Sequence, residues 1–252
     1  MSETFASTAS KAKGLQQSCM HCSLSNLCVP FAVSHDEIER LEDIIKQGKV
    51  VNRGEHIFKE HSTFRSIFAV RSGAIKTYSV SENGEEQVTG FYLPGEIIGL
   101  DSTNTDAYSC SAKALERSSV CEIPFEQVED LATKIPTLQH HFFQLMSKEI
   151  QQSRQLTMLL SKNTAEERIA SLIVSLSERF KKRKLSNIQF RLPMPRNDIG
   201  SYLGLAVETV SRVFTRFQKM GLISVQGREL VIENMPALLE IIKGHTRCIK
   251  DE

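Results

Sequence analysis

The hydrophobic and polar positions of the chain change period along its length, and these changes predict different elements. After Ser34, apolar residues at positions 38, 41, 44 and 45 follow the spacing of a short amphipathic helix, which Ser34 and Glu37 can cap. Residues 49–124 instead contain short alternating or β-rich segments separated by turn signals, of which Asn83-Gly84 is the strongest. Several short strands at this spacing predict an antiparallel sandwich or barrel.

From residue 125 the pattern becomes helical, and Pro136 can open a long helix. Alternating steps of three and four residues define one face of that helix, formed by Phe143, Met146, Ile150, Ser153, Thr157 and Leu160. Such a seam is either one face of a core helix or a dimer interface, and its place between two domains favours the dimer. Two polar members predict that the interface is weak. Another amphipathic helix follows over residues 164–180.

Residues 196–218 carry the spacing of a helix-turn-helix. A short helix reaches a turn at Gly204, a second helix runs from Val207 to Met220, and residues 222–232 can form a hairpin wing. The exposed face of the second helix offers side chains that suit the major groove, namely Glu208, Thr209, Ser211, Arg212 and Arg216. Phosphate contacts are expected from nearby cations, namely Lys181, Lys182, Arg183, Lys184, Arg191 and Lys219.

The distribution of charge strengthens the prediction of DNA binding. A whole-chain net charge of +1 combines −5 in residues 1–160 with +6 in residues 161–252, and the basic part contains the helix-turn-helix. A hydrophobic content of 40% and a charged content of 24% are typical of soluble globular proteins. Because no apolar run reaches the length of a membrane helix and no secretory signal precedes the domains, a cytoplasmic protein without a membrane partner is expected.

Three of the six cysteines lie within ten residues, as Cys19, Cys22 and Cys28. Their C-x2-C-x5-C spacing is compact enough for three thiolates to reach one metal centre, which then needs a fourth ligand. Candidates for that ligand are Cys110, Cys121, Cys248 and His21. Spacing alone does not separate a zinc site from an iron–sulfur cluster.

Two motifs resemble one family of bacterial transcription regulators. The first is the cysteine triplet followed by Val120-Cys-Glu-Ile-Pro-Phe125, and the second is Val207-Glu-Thr-Val-Ser211-Arg212. From about residue 15 to residue 247, the chain is similar to the fumarate and nitrate reduction regulator (FNR) family of the cyclic-AMP receptor protein superfamily. The resemblance implies an α+β fold: an N-terminal β-roll of the cyclic-nucleotide-binding type, a long dimerisation helix and a C-terminal winged helix-turn-helix domain. The corresponding boundaries are 1–30 for the cysteine segment, 31–136, 137–161 and 162–252.

The same resemblance implies an oxygen-responsive activator or repressor of transcription. In this family, residues matching Cys19, Cys22, Cys28 and Cys121 hold a [4Fe–4S] cluster. The loaded homodimer binds a palindrome like TTGAT…ATCAA, with Glu208, Ser211 and Arg212 at the positions of the base readers. A hairpin matching residues 81–87 contacts RNA polymerase. Oxygen converts the cluster to [2Fe–2S] and returns the protein to monomers, and Ser23 and Leu27, which lie between ligands, are expected to control access to the cluster.

Two departures from the superfamily pattern bear on the effector and on the dimer. Its cyclic-nucleotide binders hold the phosphate with an Arg-Ser pair, whereas residues 107–112 read Ala-Tyr-Ser-Cys-Ser-Ala, which argues against cyclic AMP. Ser153 stands where close relatives tend to carry an acidic residue that opposes dimerisation. Two other functions stay open: a regulator of this fold with a small-molecule effector, and an iron–sulfur electron carrier. No nucleophile–base pair or phosphate-binding glycine loop predicts an enzyme.

Overall fold

The computed structural model describes Cys19, residues 22–29 and residues 34–244, so the N-terminal tail, His21 and Cys248 lie outside the described residues. Eight strands form the N-terminal part: β1 (Lys46–Val51), β2 (His56–Phe58), β3 (Ser66–Ser72), β4 (Ile75–Val80), β5 (Glu86–Tyr92), β6 (Ile97–Ile98), β7 (Ser111–Ala114) and β8 (Ser118–Pro124). They make two antiparallel sheets, with strand orders β1-β8-β3-β6 and β2-β7-β4-β5. The predicted β-roll is therefore confirmed.

Alternation of apolar residues explains why these short strands pack as two sheets. One apolar cluster contains Ile67 and Ile123, and a second contains Phe68 and Val120 from the same two strands. Neighbouring residues thus point into different clusters, as the twofold period of a strand requires. The Asn83-Gly84 signal is also confirmed, because β4 and β5 pair as a hairpin around Gly84, which has a φ of +80°.

Three helices surround the β-roll: α1 (His35–Ile44), α2 (Phe125–Lys134) and α3 (Pro136–Lys162). The predicted cap of α1 is present, since the backbone N–H of Ser34 donates to the carboxylate of Glu37 at 2.7 Å. Pro136 stands at the start of α3, where its missing N–H has no cost. Leu138 and Phe142 bury the first turns of α3 against the β-roll.

The C-terminal part contains helices α4 (Ala165–Lys182), α5 (Arg196–Leu203), α6 (Val207–Lys219) and α7 (Met235–Lys243), and strands β9 (Gln189–Arg191), β10 (Ile223–Gln226) and β11 (Glu229–Ile232). Helices α5 and α6 form the predicted helix-turn-helix. Gly204 ends α5 with a φ of +61°, and a Cβ atom at Gly200 would come within 2.5 Å of the Leu205 carbonyl oxygen. Strands β10 and β11 form the wing, while β9 and α7 are elements that the sequence pattern did not predict.

A buried ion-pair network joins the β-roll to α4. Glu96, which follows β5, pairs with Arg179 and Arg183, and the Nη2 atom of Arg183 lies 2.7 Å from Oε1 of Glu96. Arg183 also donates to the carbonyl oxygen of Pro94 at 2.7 Å, and only 5% of its side chain is exposed. Contrary to the expectation from the cation run, Arg183 is thus occupied by a carboxylate of its own chain.

A second polar contact joins the β4–β5 hairpin to the helix-turn-helix. Lys76, which is buried, lies 2.7 Å from the carboxylate of Glu86 and 2.9 Å from that of Asp198 on α5. The Ser201 hydroxyl accepts from the N–H of Val88 at 2.8 Å. Apolar residues of both parts belong to one cluster, so the helix-turn-helix and the β-roll share a continuous core. Within the described residues, no helix is long and apolar enough to cross a bilayer.

Candidate metal centre and nucleic-acid interface

Four cysteines line one small cavity at the edge of the β-roll. Cys19, Cys22 and Cys28 come from the N-terminal segment, and Cys121 comes from the middle of β8. The remaining walls are largely apolar, with contributions from Ile45, Ala69, Val70 and Ile123. The fold therefore brings to one place the triplet and one of the four candidates for a fourth ligand.

The environment of Cys19, Cys28 and Cys121 disfavours bare thiolates. Burial raises the pKa of Cys19 and of Cys28 to about 12, and it raises the pKa of Cys121 as well. The carboxylate of Glu42 and the neighbouring cysteines raise the pKa of Cys19 further. Because metal binding requires deprotonated sulfur, a cation in the cavity would replace the protons and offset this cost.

The sulfurs surround the cavity rather than converging on one point. Among the described residues, no three His, Cys, Asp or Glu side chains are grouped closely enough to bind a single metal ion. The donor set of four cysteines is nevertheless the one that a [4Fe–4S] cluster takes, and each cysteine then binds a different iron. The cavity that they line is small, about 30 Å³.

The residues between the ligands differ in their surroundings. Leu24 and Ser25 line the cavity, whereas Ser23 is exposed. Leu27 packs on the turn after β5, where a Cβ atom at Gly95 would come within 2.8 Å of it. Leu27 therefore packs the segment against the β-roll but does not line the cavity, whereas Leu24 and Ser25 are wall residues in addition to those predicted from the sequence.

Cys110 lies away from the four-cysteine cavity. It is 5% exposed and belongs to the apolar cluster of Phe58 and Tyr108. Its Sγ atom lies 3.6 Å from the carboxylate of Asp101, and burial followed by that charge raises its pKa to about 12. Cys110 is thus a buried thiol outside the candidate metal centre, and none of the five described cysteines forms a disulfide.

The cavity is connected to α3 through packed side chains. Cys19, Cys28 and Cys121 belong to the same apolar cluster as Leu138 and Phe142 of α3. His141, between those two residues, is only 7% exposed. A movement of the cysteine segment would therefore change the packing around the first turns of α3.

The predicted reader residues lie on the exposed face of α6. Glu208, Ser211, Arg212 and Arg216 are exposed, and Thr209 is half-buried. The opposite face is anchored by Val210, Val213, Phe214 and Phe217, which are all buried. An Nη2 atom of Arg212 lies 3.2 Å from the Thr209 hydroxyl, which orients its guanidinium along the helix. The structure thus presents the predicted readers on a helix whose opposite, apolar face is buried.

Further cations extend this surface. An open depression on α6 is lined by Ser211, Arg212, Thr215, Arg216 and Lys219. Arg216 is paired with Glu166 of α4, so its positive charge is partly compensated within the chain. Lys219 is exposed at the end of the helix, where it can meet a phosphate.

The predicted seam of α3 is largely exposed in the single chain. Phe143 is 61% exposed and Ile150 is 55% exposed, while Met146 is half-buried and Ser153 and Thr157 are exposed. The hydroxyl of Thr157 donates to the carbonyl oxygen of Ser153 at 3.0 Å, so that hydroxyl is satisfied within the helix. Met158, 61% exposed, adds to the apolar side of α3.

Residues 101–110 are joined by hydrogen bonds within their own segment. Here the Ser109 hydroxyl donates to the carboxylate of Asp101 at 2.5 Å, and the Ser109 N–H donates to the Ser102 hydroxyl at 3.0 Å. Tyr108 is buried against Phe58, with 3.9 Å between the ring centroids. The carboxylate of Asp101 therefore accepts a hydrogen bond from a residue of the same segment.

Comparisons with known proteins agree with this architecture. Residues 48–134 match the family model of the cyclic nucleotide-binding domain, and residues 167–241 match that of the Crp-like helix-turn-helix domain. The structure resembles that of FixK2 from Bradyrhizobium japonicum with a TM-score of 0.73, 27% identity and coverage of 79% of this chain and 97% of that one.

Named relatives share about half of the sequence. The transcriptional activator protein anr of Pseudomonas aeruginosa is 52% identical over 235 residues, covering 93% of this chain and 96% of that protein. The fumarate and nitrate reduction regulatory protein of Escherichia coli is 46% identical over 231 residues, covering 92% of both. Together with the DNA-reading fold, these relatives make the chain a transcription regulator rather than an enzyme. The chain belongs to the FNR family of transcription regulators.

Proposed function

We propose that the protein is an oxygen-responsive transcription regulator of the cytoplasm, with a [4Fe–4S] cluster on Cys19, Cys22, Cys28 and Cys121. The observation that carries the proposal is the meeting of these four cysteines at one cavity, although Cys121 is more than ninety residues away from the others. When bound, the cluster supplies the reactivity toward oxygen, being converted to [2Fe–2S]. The chain supplies the thiolates, the apolar walls and the connection to α3.

The signal path runs through the packing between the cysteine segment and α3. Leu27 and Val29 hold the segment against the β-roll, and Leu138 and Phe142 hold α3 against the same apolar cluster. A change in the position of the segment alters this packing and thereby the exposed seam beyond residue 142. Full switching between monomer and dimer requires about 5.5 kcal/mol of differential stabilisation. If the dimer interface is only marginally stable, a change of this size is enough to form or dissolve the dimer.

The exposed face of α3 is the interface of a homodimer in this proposal. Phe143, Met146 and Ile150 supply its apolar contacts, and Ser153 and Thr157 keep it weak. A symmetric dimer places two α6 helices on successive turns of a palindromic duplex. In this proposal, access of oxygen and solvent is controlled by Ser23, which is exposed beside the ligands, and by Leu27, which packs their segment on the β-roll at Gly95.

The surface also bears on one further partner and on the effector. The hairpin at residues 81–87 is exposed and available to RNA polymerase, while its base is held by Lys76 and Ser201. In this proposal cyclic AMP is not the effector, because residues 107–112 lack the Arg-Ser pair of the superfamily's nucleotide binders.

The proposal is tested by comparing DNA binding with and without air. Protein purified anaerobically is expected to shift a TTGAT…ATCAA duplex in a gel, to fail on a duplex with scrambled half-sites, and to lose the specific shift after exposure to air. Binding to the palindrome that does not respond to oxygen would instead support a regulator with another effector.

Arg212→Ala is expected to relax base preference at one position of each half-site. Because a bidentate Arg–guanine contact contributes about 1–3 kcal/mol of discrimination, affinity for the intact site falls by about 5- to 150-fold, and the loss is smaller on sites already changed at that position. Lys219→Ala is the matched control and should weaken all sequences alike. A uniform loss for Arg212→Ala would make Arg212 a phosphate contact.

Ile150→Val is expected to weaken the dimer without affecting the fold. The change removes one methylene at each symmetric position, about 0.8 kcal/mol per copy, which corresponds to roughly a 15-fold higher dissociation constant. Analytical ultracentrifugation of the anaerobic protein measures this constant. Val80→Ala, which changes an exposed apolar residue of the hairpin, serves as the control. An unchanged dissociation constant for Ile150→Val would show that Ile150 does not lie in the interface.

A further inference from the structure

Cys121 lies between two irregularities in the sheet. On β1, residues 47 and 48 stand opposite the single residue Cys121, because Lys46 pairs with Glu122 and Lys49 pairs with Val120. On β3, Arg71 is an extra residue, since Val70 pairs with Val120 and Ser72 pairs with Ser119. Such bulges redirect side chains and are common beside functional sites.

The two bulges place polar groups on the same thiol. The backbone N–H of Gly48, a residue with a φ of +80°, donates to the sulfur of Cys121 and lowers its pKa. The guanidinium of Arg71 lies over that bulge, because a Cβ atom at Gly48 would be 3.9 Å from its Nη1 atom. Of the described residues that line the cavity, Arg71 alone carries a formal charge.

The charge of Arg71 acts on two of the four cysteines. Arg71 lines the same cavity as Cys19 and Cys121, so its charge favours the thiolate form of both, against the larger effect of burial. A guanidinium keeps its proton at any pH that the protein tolerates, so this positive charge is permanent. Four thiolates around a [4Fe–4S]²⁺ core carry a net charge of −2, which a largely apolar wall solvates poorly.

We propose that Arg71 is the positioning residue that compensates the negative charge of the cluster, and that it thereby slows cluster loss and raises the reduction potential. The proposal rests on the proposed function, because it assumes a cluster on the four cysteines. Arg71 binds no iron in this account and acts through Cys19 and Cys121. Net charge and hydrogen bonds to sulfur are among the terms that set the potential of a cluster.

The test compares the wild-type protein with Arg71→Gln, Arg71→Met, Arg71→Lys and the control Arg53→Gln, all reconstituted anaerobically. Arg53 lies in an exposed turn and does not line the cavity. Loss of cluster absorbance to an iron chelator and the midpoint potential are measured. Since changes around metal ligands cost about 10- to 100-fold in affinity, Arg71→Gln and Arg71→Met should lose the cluster about 10- to 100-fold faster, at a more negative potential.

Arg71→Lys keeps the charge and should retain a potential close to that of the wild type, as should Arg53→Gln. If Arg71→Gln does not fold, the comparison of Arg71→Met with Arg71→Lys decides. Loss rates within twofold of the wild type, together with an unchanged potential, would overturn the role of Arg71. A wild-type protein without iron would instead refute the proposed function on which this role rests.

Discussion

Cys121→Ala is expected to abolish cluster binding, whereas Cys110→Ala leaves it intact. Cys121 is the ligand that joins the N-terminal segment to β8, and its loss leaves one iron without a thiolate. After anaerobic reconstitution, the iron content of the Cys121→Ala protein should fall from about four per chain to near zero, with loss of the visible absorbance. Specific binding to the palindrome should be lost with it.

Cys110→Ala is the matched control because Cys110 is also a buried cysteine of the β-roll. It contacts Asp101 and packs in a different apolar cluster from the four cysteines. Circular dichroism of both variants checks the fold. Four irons retained by Cys121→Ala, or iron lost from Cys110→Ala, would show that the fourth ligand has been assigned to the wrong cysteine.

Glu96→Ala is expected to produce the largest loss of stability among single changes outside the apolar core. Removing this carboxylate leaves the guanidinium groups of Arg179 and Arg183 buried without their partner. Removing one partner of a buried ion pair lowers the free energy of unfolding by about 3–5 kcal/mol, because the remaining charge stays desolvated. The free energy of unfolding in urea measures the effect. The exposed pair of Lys46 with Glu122 provides the control, and Lys46→Ala should cost less than about 1 kcal/mol.

The contribution of Glu96 should also depend on pH. Although burial alone would raise the pKa of Glu96, the guanidinium groups of Arg179 and Arg183 dominate and hold it below the ordinary value. The stabilisation is therefore complete above about pH 4.3, the pKa of glutamate in an unfolded chain, and declines as the pH falls through the lower folded pKa. The difference between wild type and Glu96→Ala should shrink in acid. A difference that is small at neutral pH would show that the β-roll and α4 are held by apolar contacts alone.

The elements that the sequence predicts best are those with strong local periodicity. Helix α6 has an apolar face with four buried residues, and its start and end are marked by the turn at Gly204 and by Gly221. Strand β9 has only three residues, too few for a pattern, and is defined by its pairing with β11. Helix α7 does carry a local signal, since the Asn234 side chain caps it by accepting from the N–H of Ala237 and Pro236 stands in its first turn.

Contacts between segments that are distant in the sequence are harder to predict from the sequence. The cysteine spacing predicts a metal centre but leaves the fourth ligand open, and only the folded structure shows Cys121, paired with Ala69 in the sheet, at the cavity of the other three. Arg183 belongs to a run of four cations, which favours DNA, yet its partner Glu96 is 87 residues away. The role of Arg71 depends on a bulge, which sequence periodicity does not reveal.

The most direct test of an oxygen-sensing cluster is the metal content of the protein purified without air. We expect a brown protein with visible absorbance, about four irons and about four sulfides per chain, which loses its colour and its binding to the palindrome on exposure to oxygen. A colourless protein that contains zinc, and binds the palindrome equally well with and without oxygen, would contradict the account.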